Sequence, residues 1–403
     1  MNVLFLSLSS FDTLQSRGIY TDLLREFVKH GHKVYAVSPI EKRFHKKTHI
    51  IKEDNATILR LQTGNIQKTN VIEKGISTIR IESIITNGIK KYFAGVKFDL
   101  VLYPTPPITL VGAVKYVKKR DNAKTYLLLK DIFPQNAVDL GMMQKTGIKG
   151  FLYRYFRKKE KELYGISDII GCMSQANVDY VLKHNPEISS ERVEVCPNSI
   201  EVIDKSVDEA TRIAIRTKYG IPLDKKVFIY GGNLGKPQGI PFLIQCLEKA
   251  KDVQEAFFLV VGNGTEYGLL ESYVTKANQT NFMLMQRLPK EDYDTLVGAC
   301  DVGMIFLDHR FTIPNFPSRL LSYMQAKLPV LAVTDSNTDI GKVIVKGEFG
   351  WWCESTVVEV FLEIVSSIIL NKKNTEIGDI GYQYLLHNYS VQKSYYTICQ
   401  HMQ

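Results

Sequence analysis

The sequence predicts an α/β protein made of two doubly wound sheets. Three observations carry that prediction. The chain has 403 residues, more than one core ordinarily serves, which suggests two domains. Its apolar residues fall in short continuous runs, the mark of strands buried on both faces. Helix-length amphipathic stretches separate those runs in both halves of the chain, as a covered parallel sheet requires.

The elements follow in order. "NVLFLSLS" (2–9) is a first buried strand. "IYTDLLREFVKHG" (19–31) is a helix, because Ile19, Leu23, Leu24, Phe27 and Val28 recur three and four apart and Gly31 stops it. Strands at 32–38, 98–104, 124–130 and 167–173 complete the first half. Strands at 226–232, 256–264, 281–286, 301–307 and 328–334 build the second. The polar stretch "CPNSIEVIDKS" (196–206) marks the boundary. It gives a first domain over 1–200 and a second over 201–387. The amphipathic last helix, within 388–403, is expected to pack back on the first. In such sheets ligands bind at the carboxyl ends of the strands, so the cleft between two of them is the expected site.

Composition narrows the function. A chain 45% hydrophobic and 23% charged is ordinary for a globular protein. Every apolar run is broken by charge, so no membrane span is expected. The N-terminus lacks a basic segment and a small-residue cleavage site, and reads as a strand rather than a signal peptide. The six cysteines lie far apart without a C-x-x-C pair, which suits reduced, buried thiols in a cytoplasmic protein. Charge is uneven. The first 200 residues carry 31 Lys+Arg and 19 Asp+Glu, and the remainder 20 and 23, so the halves stand at +12 and −3. The first half should face something anionic. No recognition motif accompanies the charge, so nucleic acid is not expected as a partner.

Three loops of the second half follow strands and open helices. In "YGGNLGKPQG" (230–239), glycines at 231, 232, 235 and 239 let backbone N–H groups approach a phosphate, Lys236 adds a cation, and Gly232, Asn233 and Gly235 are the candidate donor contacts. In "VVGNG" (260–264), Gly262, Asn263 and Gly264 form a similar turn. In "TIPNFPSRLLSYMQAKLPV" (312–330), Pro317 and Ser318 open a short helix and Arg319 sits in its first turn. A cation there opposes the helix dipole unless a bound anion compensates. Ser318 should cap this helix, Ser322 should share its face, and Leu320, Leu321 and Met324 should turn to the core.

These motifs, in this order and with "RLP" (Arg287, Leu288) after the third strand, resemble the donor half of GT-B glycosyltransferases of family 4. The branch is the one that assembles bacterial capsule and O-antigen repeats. "LLLKDIFPQNAVDLGMM" (127–143) is similar to that branch's acceptor-side motif, and 17–34 resembles the family's first helix, so the likeness spans nearly the whole chain. It implies a retaining transferase that moves a hexose, N-acetylated or deoxy, from a nucleotide-sugar, UDP-linked in the first instance. It also implies a polyprenyl-diphosphate-linked saccharide as acceptor. Arg319, Lys236 and the backbone N–H groups of 234–236 and 318–320, Leu320 among them, would hold the diphosphate. Two family carboxylates are missing, since their positions fall on Pro314 and Ser322. A Ser322 hydroxyl would then replace the ribose-binding Glu.

On the acceptor side, Asp131 directly follows a buried strand and is the candidate for contacting the acceptor hydroxyl or assisting its deprotonation. Lys130 pairs with it or meets an acceptor phosphate. Ser16, Arg17 and Gly18 would hold a phosphate at the start of the first helix. No metal or other cofactor is expected, because the one D-x-D ("DYD", 292–294) lies in a helical pattern. The helix over 148–165 mixes Phe151, Leu152, Tyr155 and Phe156 with Arg154, Arg157, Lys158 and Lys159. That suits peripheral docking on an anionic membrane surface, here the inner face of the cytoplasmic membrane. Two rival readings stay open: a scaffold that has lost catalysis, which the missing carboxylates favour, and a nucleotide-sugar epimerase.

Overall fold

The computed structural model describes residues 1–65, 71–147, 150–277 and 279–402. The chain forms two compact units: Met1–Glu201 with Val391–Gln403, and Val202–Ser390.

The first unit holds an eight-stranded sheet among the described residues. Its strands are β1 (Asn2–Leu6), β2 (Lys33–Glu41), β3 (His49–Glu53), β4 (Ala56–Thr63), β5 (Leu100–Pro104), β6 (Lys124–Leu129), β7 (Ile169–Cys172) and β8 (Val193–Val195). They run in the order β3-β4-β2-β1-β5-β6-β7-β8, and only the β3–β4 edge pair is antiparallel. Helices α1 (Ile19–Lys29), α2 (Val71–Tyr92), α3 (Val111–Asp121), α4 (Gln135–Asp139), α5 (Gly150–Ile166) and α6 (Gln175–His184) connect them. The continuous apolar strands are buried on both faces, with Val3, Phe5, Leu100, Leu102 and Leu128 in one core cluster.

The second unit is an all-parallel six-stranded sheet among the described residues, in the order β11-β10-β9-β12-β13-β14. Its strands are β9 (Lys226–Asn233), β10 (Ala256–Asn263), β11 (Phe282–Met285), β12 (Val302–Phe306), β13 (Val330–Thr334) and β14 (Gly350–Glu354). Around it lie α7 (Glu209–Tyr219), α8 (Ile240–Lys249), α9 (Tyr267–Ala277), α10 (Lys290–Gly298), α11 (Arg319–Gln325), α12 (Ile340–Lys346), α13 (Val358–Leu370) and α14 (Asn374–Asn388). The strand order reverses between β9 and β12, which is where a doubly wound sheet opens a crevice.

The last helix, α15 (Val391–Cys399), belongs to the first unit and lies on α1. Tyr395 makes the contact. Its ring meets Phe27 edge-on at 5.0 Å and stacks on His30 at 4.0 Å, and its hydroxyl bonds the His32 ring at 2.9 Å.

Candidate functional site

In the second unit the carboxyl ends of β9 and β10, the loop after β11 and the start of α10 line a pocket of about 360 Å³, a size suited to a small ligand. Its walls include Gly232 and Asn233 of β9, Gly262 and Asn263 of β10, and Arg287 and Leu288 of the loop after β11. They also include Lys290 and Tyr293 of α10, which the sequence reading placed only in a helical pattern. Asp294 of the same helix is paired with Lys205 at 2.8 Å, a fixed structural ion pair. Among the described residues no group of three or more His, Cys, Asp or Glu is placed to hold a metal.

The glycines of these loops have different causes. Gly232 has a φ of 118°, a backbone that side-chain-bearing residues rarely adopt, and the guanidinium of Arg319 lies 3.6 Å from where its Cβ would stand. Gly262 and Gly264 are demanded by packing instead: a Cβ there would run into the backbone carbonyls of Gly232 and Leu234. Their pattern reports the close approach of β9 and β10 rather than a phosphate.

The cradle expected at 234–236 is also largely satisfied from within. Leu234 N–H donates to the Asn263 carbonyl at 2.9 Å. Gly235 N–H donates to Gln238 Oε1 at 3.1 Å, and the Asn233 amide joins the same oxygen at 3.0 Å. At α11 the expected N-cap is absent: Ser318 is exposed, has helical dihedrals and makes no side-chain cap bond. Leu320 is fully buried and its N–H donates to the Pro317 carbonyl at 3.3 Å, so it drops out as a ligand contact. Ser322 is half-buried on α11, and Lys236 is exposed. Neither lines the pocket, nor do Gly235, Gly264, Pro317, Ser318 and Arg319; Arg319 lies just behind its wall, against Gly232.

Arg319 is the unusual group. Its guanidinium stacks on the Tyr230 ring with Cζ 4.2 Å from the centroid. Nη1 is buried and makes no hydrogen bond. Tyr230, Tyr293 and Tyr323 surround it, and burial raises the pKa of all three phenols, so each is neutral at physiological pH. The cation therefore sits among neutral rings. A guanidinium that stacks on one ring and leaves Nη1 buried without a hydrogen bond gains from an arriving anion. Tyr323 does a second job. It accepts from Gly231 N–H at 3.2 Å and donates to the Met304 carbonyl at 3.0 Å, stitching β9 to β12 at the reversal point. The sequence reading missed all three tyrosines. Arg319 and Tyr230 lie far apart in the chain, and only the β9–β12 crossover brings them together.

In the first unit Asp131 leaves β6 at its carboxyl end. Thr105, at the end of β5, fixes the backbone: its hydroxyl donates to the Asp131 carbonyl at 3.1 Å and accepts from Lys130 N–H at 3.0 Å. The Asn136 amide donates to both carboxylate oxygens, at 2.9 and 2.8 Å. Burial pushes the Asp131 pKa up to about 6, with the Ile132 N–H and the Asn136 amide holding it from rising further. Lys130 does not pair with Asp131. Its Nζ turns the other way, onto the Cys196 carbonyl at 3.1 Å, and burial lowers its pKa.

The Ser16–Gly18 loop also departs from expectation. Asp22 already holds it, accepting from Gly18 N–H at 3.1 Å and from Arg25 at 2.6 Å. Ser16 donates to the Thr13 carbonyl, and Arg17 lies 3.7 Å from Glu201. Helix α5 begins at Gly150; positions 148 and 149 of the expected helix lie outside the described residues. Of its five cations, Arg157 pairs with Glu160, Lys159 with Glu162 and Lys161 with Glu187, leaving Arg154 and Lys158 exposed. Phe151 and Leu152 are 70% and 49% exposed, while Phe156 packs edge-on against Phe133 at 5.1 Å. Among the described residues no helix is long and apolar enough to cross a membrane.

Residues 211–383 match the family described as Glycosyl transferases group 1. Over 294 residues the chain is 24% identical to a Pseudomonas aeruginosa protein named a probable glycosyltransferase, WbjE, covering 72% of this chain and 71% of that one. Over 251 residues it is 22% identical to WcaI of Escherichia coli, named for colanic acid biosynthesis, covering 61% and 60% of the two chains. Among solved structures, sucrose-phosphate synthase of Thermosynechococcus elongatus superposes with a TM-score of 0.75 at 12% identity over 99% of this chain and 98% of that one. HepE of Anabaena, solved with UDP, gives 0.70 at 13% identity over 100% and 99%.

Proposed function

We propose that this chain, a glycosyltransferase of GT-B fold with a glycosyl transferases group 1 domain over residues 211–383, takes a sugar from a nucleoside-diphosphate donor and adds it to a growing bacterial polysaccharide. The observation that carries this reading is Arg319, stacked on Tyr230 beside Gly232 with Nη1 buried and unpaired. A diphosphate is the anion that such a cation, beside a pocket of this size, would complete. Charge then builds on the leaving diphosphate as the glycosidic bond breaks, and Arg319 stabilises it, with Lys236 and Lys290 as accessory cations.

UDP is the first donor nucleotide to try, because the solved HepE structure holds UDP. Retention of anomeric configuration follows from the family likeness, with the leaving phosphate helping to deprotonate the incoming hydroxyl. Asp131 acts as the acceptor-side group: a carboxylate with a pKa about 6 is ionised at neutral pH and basic enough to accept a proton. No metal enters this scheme. Ser322 stands in for the missing carboxylate at the ribose.

The acceptor is proposed to be lipid-linked, with the protein held peripherally at an anionic leaflet. Exposed Phe151 and Leu152 beside Arg154 and Lys158 support docking, though by two free cations rather than four. Each contributes on the order of 1 kcal/mol at such a surface. The test of the donor assignment is thermal. UDP at 100 times its Kd should add about 2.7 kcal/mol to stability, and absence of any shift with UDP, GDP or TDP would overturn it.

A further inference from the structure

The hold on Asp131 has an unusual form. The Asn136 amide turns its nitrogen to the carboxylate, reaching Oδ1 at 2.9 Å and Oδ2 at 2.8 Å. Its own oxygen is left buried without a hydrogen bond. A buried orphan acceptor is destabilising, so the local fold alone gives no reason for this arrangement. Turning the amide over would set oxygen against carboxylate, which is worse. Asn136 sits in α4, a helix of five residues, and Thr105 clamps the backbone of 130–131 from the other side. The carboxylate is thereby fixed in both position and direction. The remaining charged neighbour is Glu160 on α5, itself paired with Arg157 and bonded by the Tyr164 hydroxyl at 2.8 Å; its charge and that of Asp131 oppose each other. Lys130 brings no relief, being turned to Cys196.

We propose that Asn136 is a positioning residue for the transfer reaction: its amide keeps Asp131 an oriented anion, ready to take the proton of the acceptor hydroxyl. The bond from the anomeric carbon to the diphosphate breaks and its electron pair leaves with the nucleoside diphosphate; the acceptor oxygen bonds to that carbon, its O–H bond breaks, and the proton rests on Asp131. This rests on the role given to Asp131 above, and the two can fail separately.

Without the amide, only the Ile132 N–H still opposes burial, and the balance moves toward the protonated acid. The full chain, labelled with carbon-13 at the aspartate carboxyls, gives the readout by NMR, with the Asp131 resonance assigned by its loss in Asp131→Asn. In the native chain it should titrate near 6. In Asn136→Leu, of similar size but unable to donate, the midpoint should rise by about one unit or more, since a hydrogen bond to a charged group is worth at least that much. Asn136→Asp, of the same shape, should raise it too, through like charge. A midpoint unchanged or lowered in both variants would overturn the assignment of Asn136. Normal transfer by Asp131→Asn would instead overturn the role of Asp131, whatever the titration shows.

Discussion

Two loops in this protein looked alike as sequence and turn out to be opposites. "QSRGIY" before α1 and "FPSRLL" before α11 each place a Ser-Arg pair at the start of a helix. At the first, Asp22 reaches back to Gly18 N–H and to Arg25, so the loop carries its own anion. At the second, no side chain caps the helix, and Arg319 stands half-buried among neutral tyrosines with Nη1 buried and without a hydrogen bond. The lesson is about satisfaction. A helix start that satisfies its donors internally has little left to give a ligand, whereas one that leaves a buried cation uncompensated gains from an anion.

The comparison can be broken most sharply by paired substitutions. Arg319→Ala should lower transfer by about a hundredfold to a thousandfold, the usual range for losing a charge-stabilising donor. Arg17→Ala, at the self-satisfied loop, should change it less than about twofold. Steady-state rates on both variants decide the matter, and equal losses would erase the distinction.

Asp131 offers the next largest effect, and on stability it runs against function. Its pKa is raised by burial from 3.8 to about 6. A carboxyl raised on folding contributes stability below its unfolded pKa and loses it as pH climbs through the folded value. At pH 7 to 8 the ionised group thus costs roughly 3 kcal/mol. Asp131→Asn should raise the Tm by several degrees there and by little below pH 4, while reducing transfer. Scanning calorimetry at the two pH values checks the sign. The native rate should also fall as pH drops through 6.

Gly232→Ala and Gly268→Ala sharpen the comparison within one domain. The first forces a Cβ onto a φ of 118° beside Arg319, and should destabilise by about 1–3 kcal/mol and weaken the donor. The second lies in α9 with open space around it, and should stabilise by about 0.5–1 kcal/mol. Urea midpoints with and without UDP separate them.

Ser322→Ala should have the smallest effect. If its hydroxyl meets the ribose, donor KM rises about twofold to tenfold while kcat stays constant, as for lost uniform binding. A drop confined to kcat would remove the ribose role.

Much of the fold was legible because strands such as "KVFIYGG" and "AFFLVVG" are continuous apolar runs with one interpretation. The β3–β4 edge pair was not, since "HIIKEDNATILRLQT" mixes charge and apolar residues as a half-exposed strand pair does. Nor was β8, three residues long. In the site, Gly232 and Arg319 could be singled out from local pattern. The reason they meet could not, because it depends on Tyr230, Tyr293 and Tyr323 converging from three elements. At 262 and 264 the local pattern was ambiguous: close backbone packing and phosphate binding demand the same residue, and Gly262 meets the first while lining the pocket. Asn136 left a signal that passed unused, an amide five residues after an aspartate across a proline turn.

The central claim is that the uncompensated Arg319 marks the diphosphate site. Isothermal titration of UDP into the native chain, Arg319→Ala and Arg17→Ala tests it most directly. The account predicts binding by the native chain and by Arg17→Ala with closely similar Kd, and a Kd at least tenfold weaker in Arg319→Ala. Undiminished affinity in folded Arg319→Ala would contradict it.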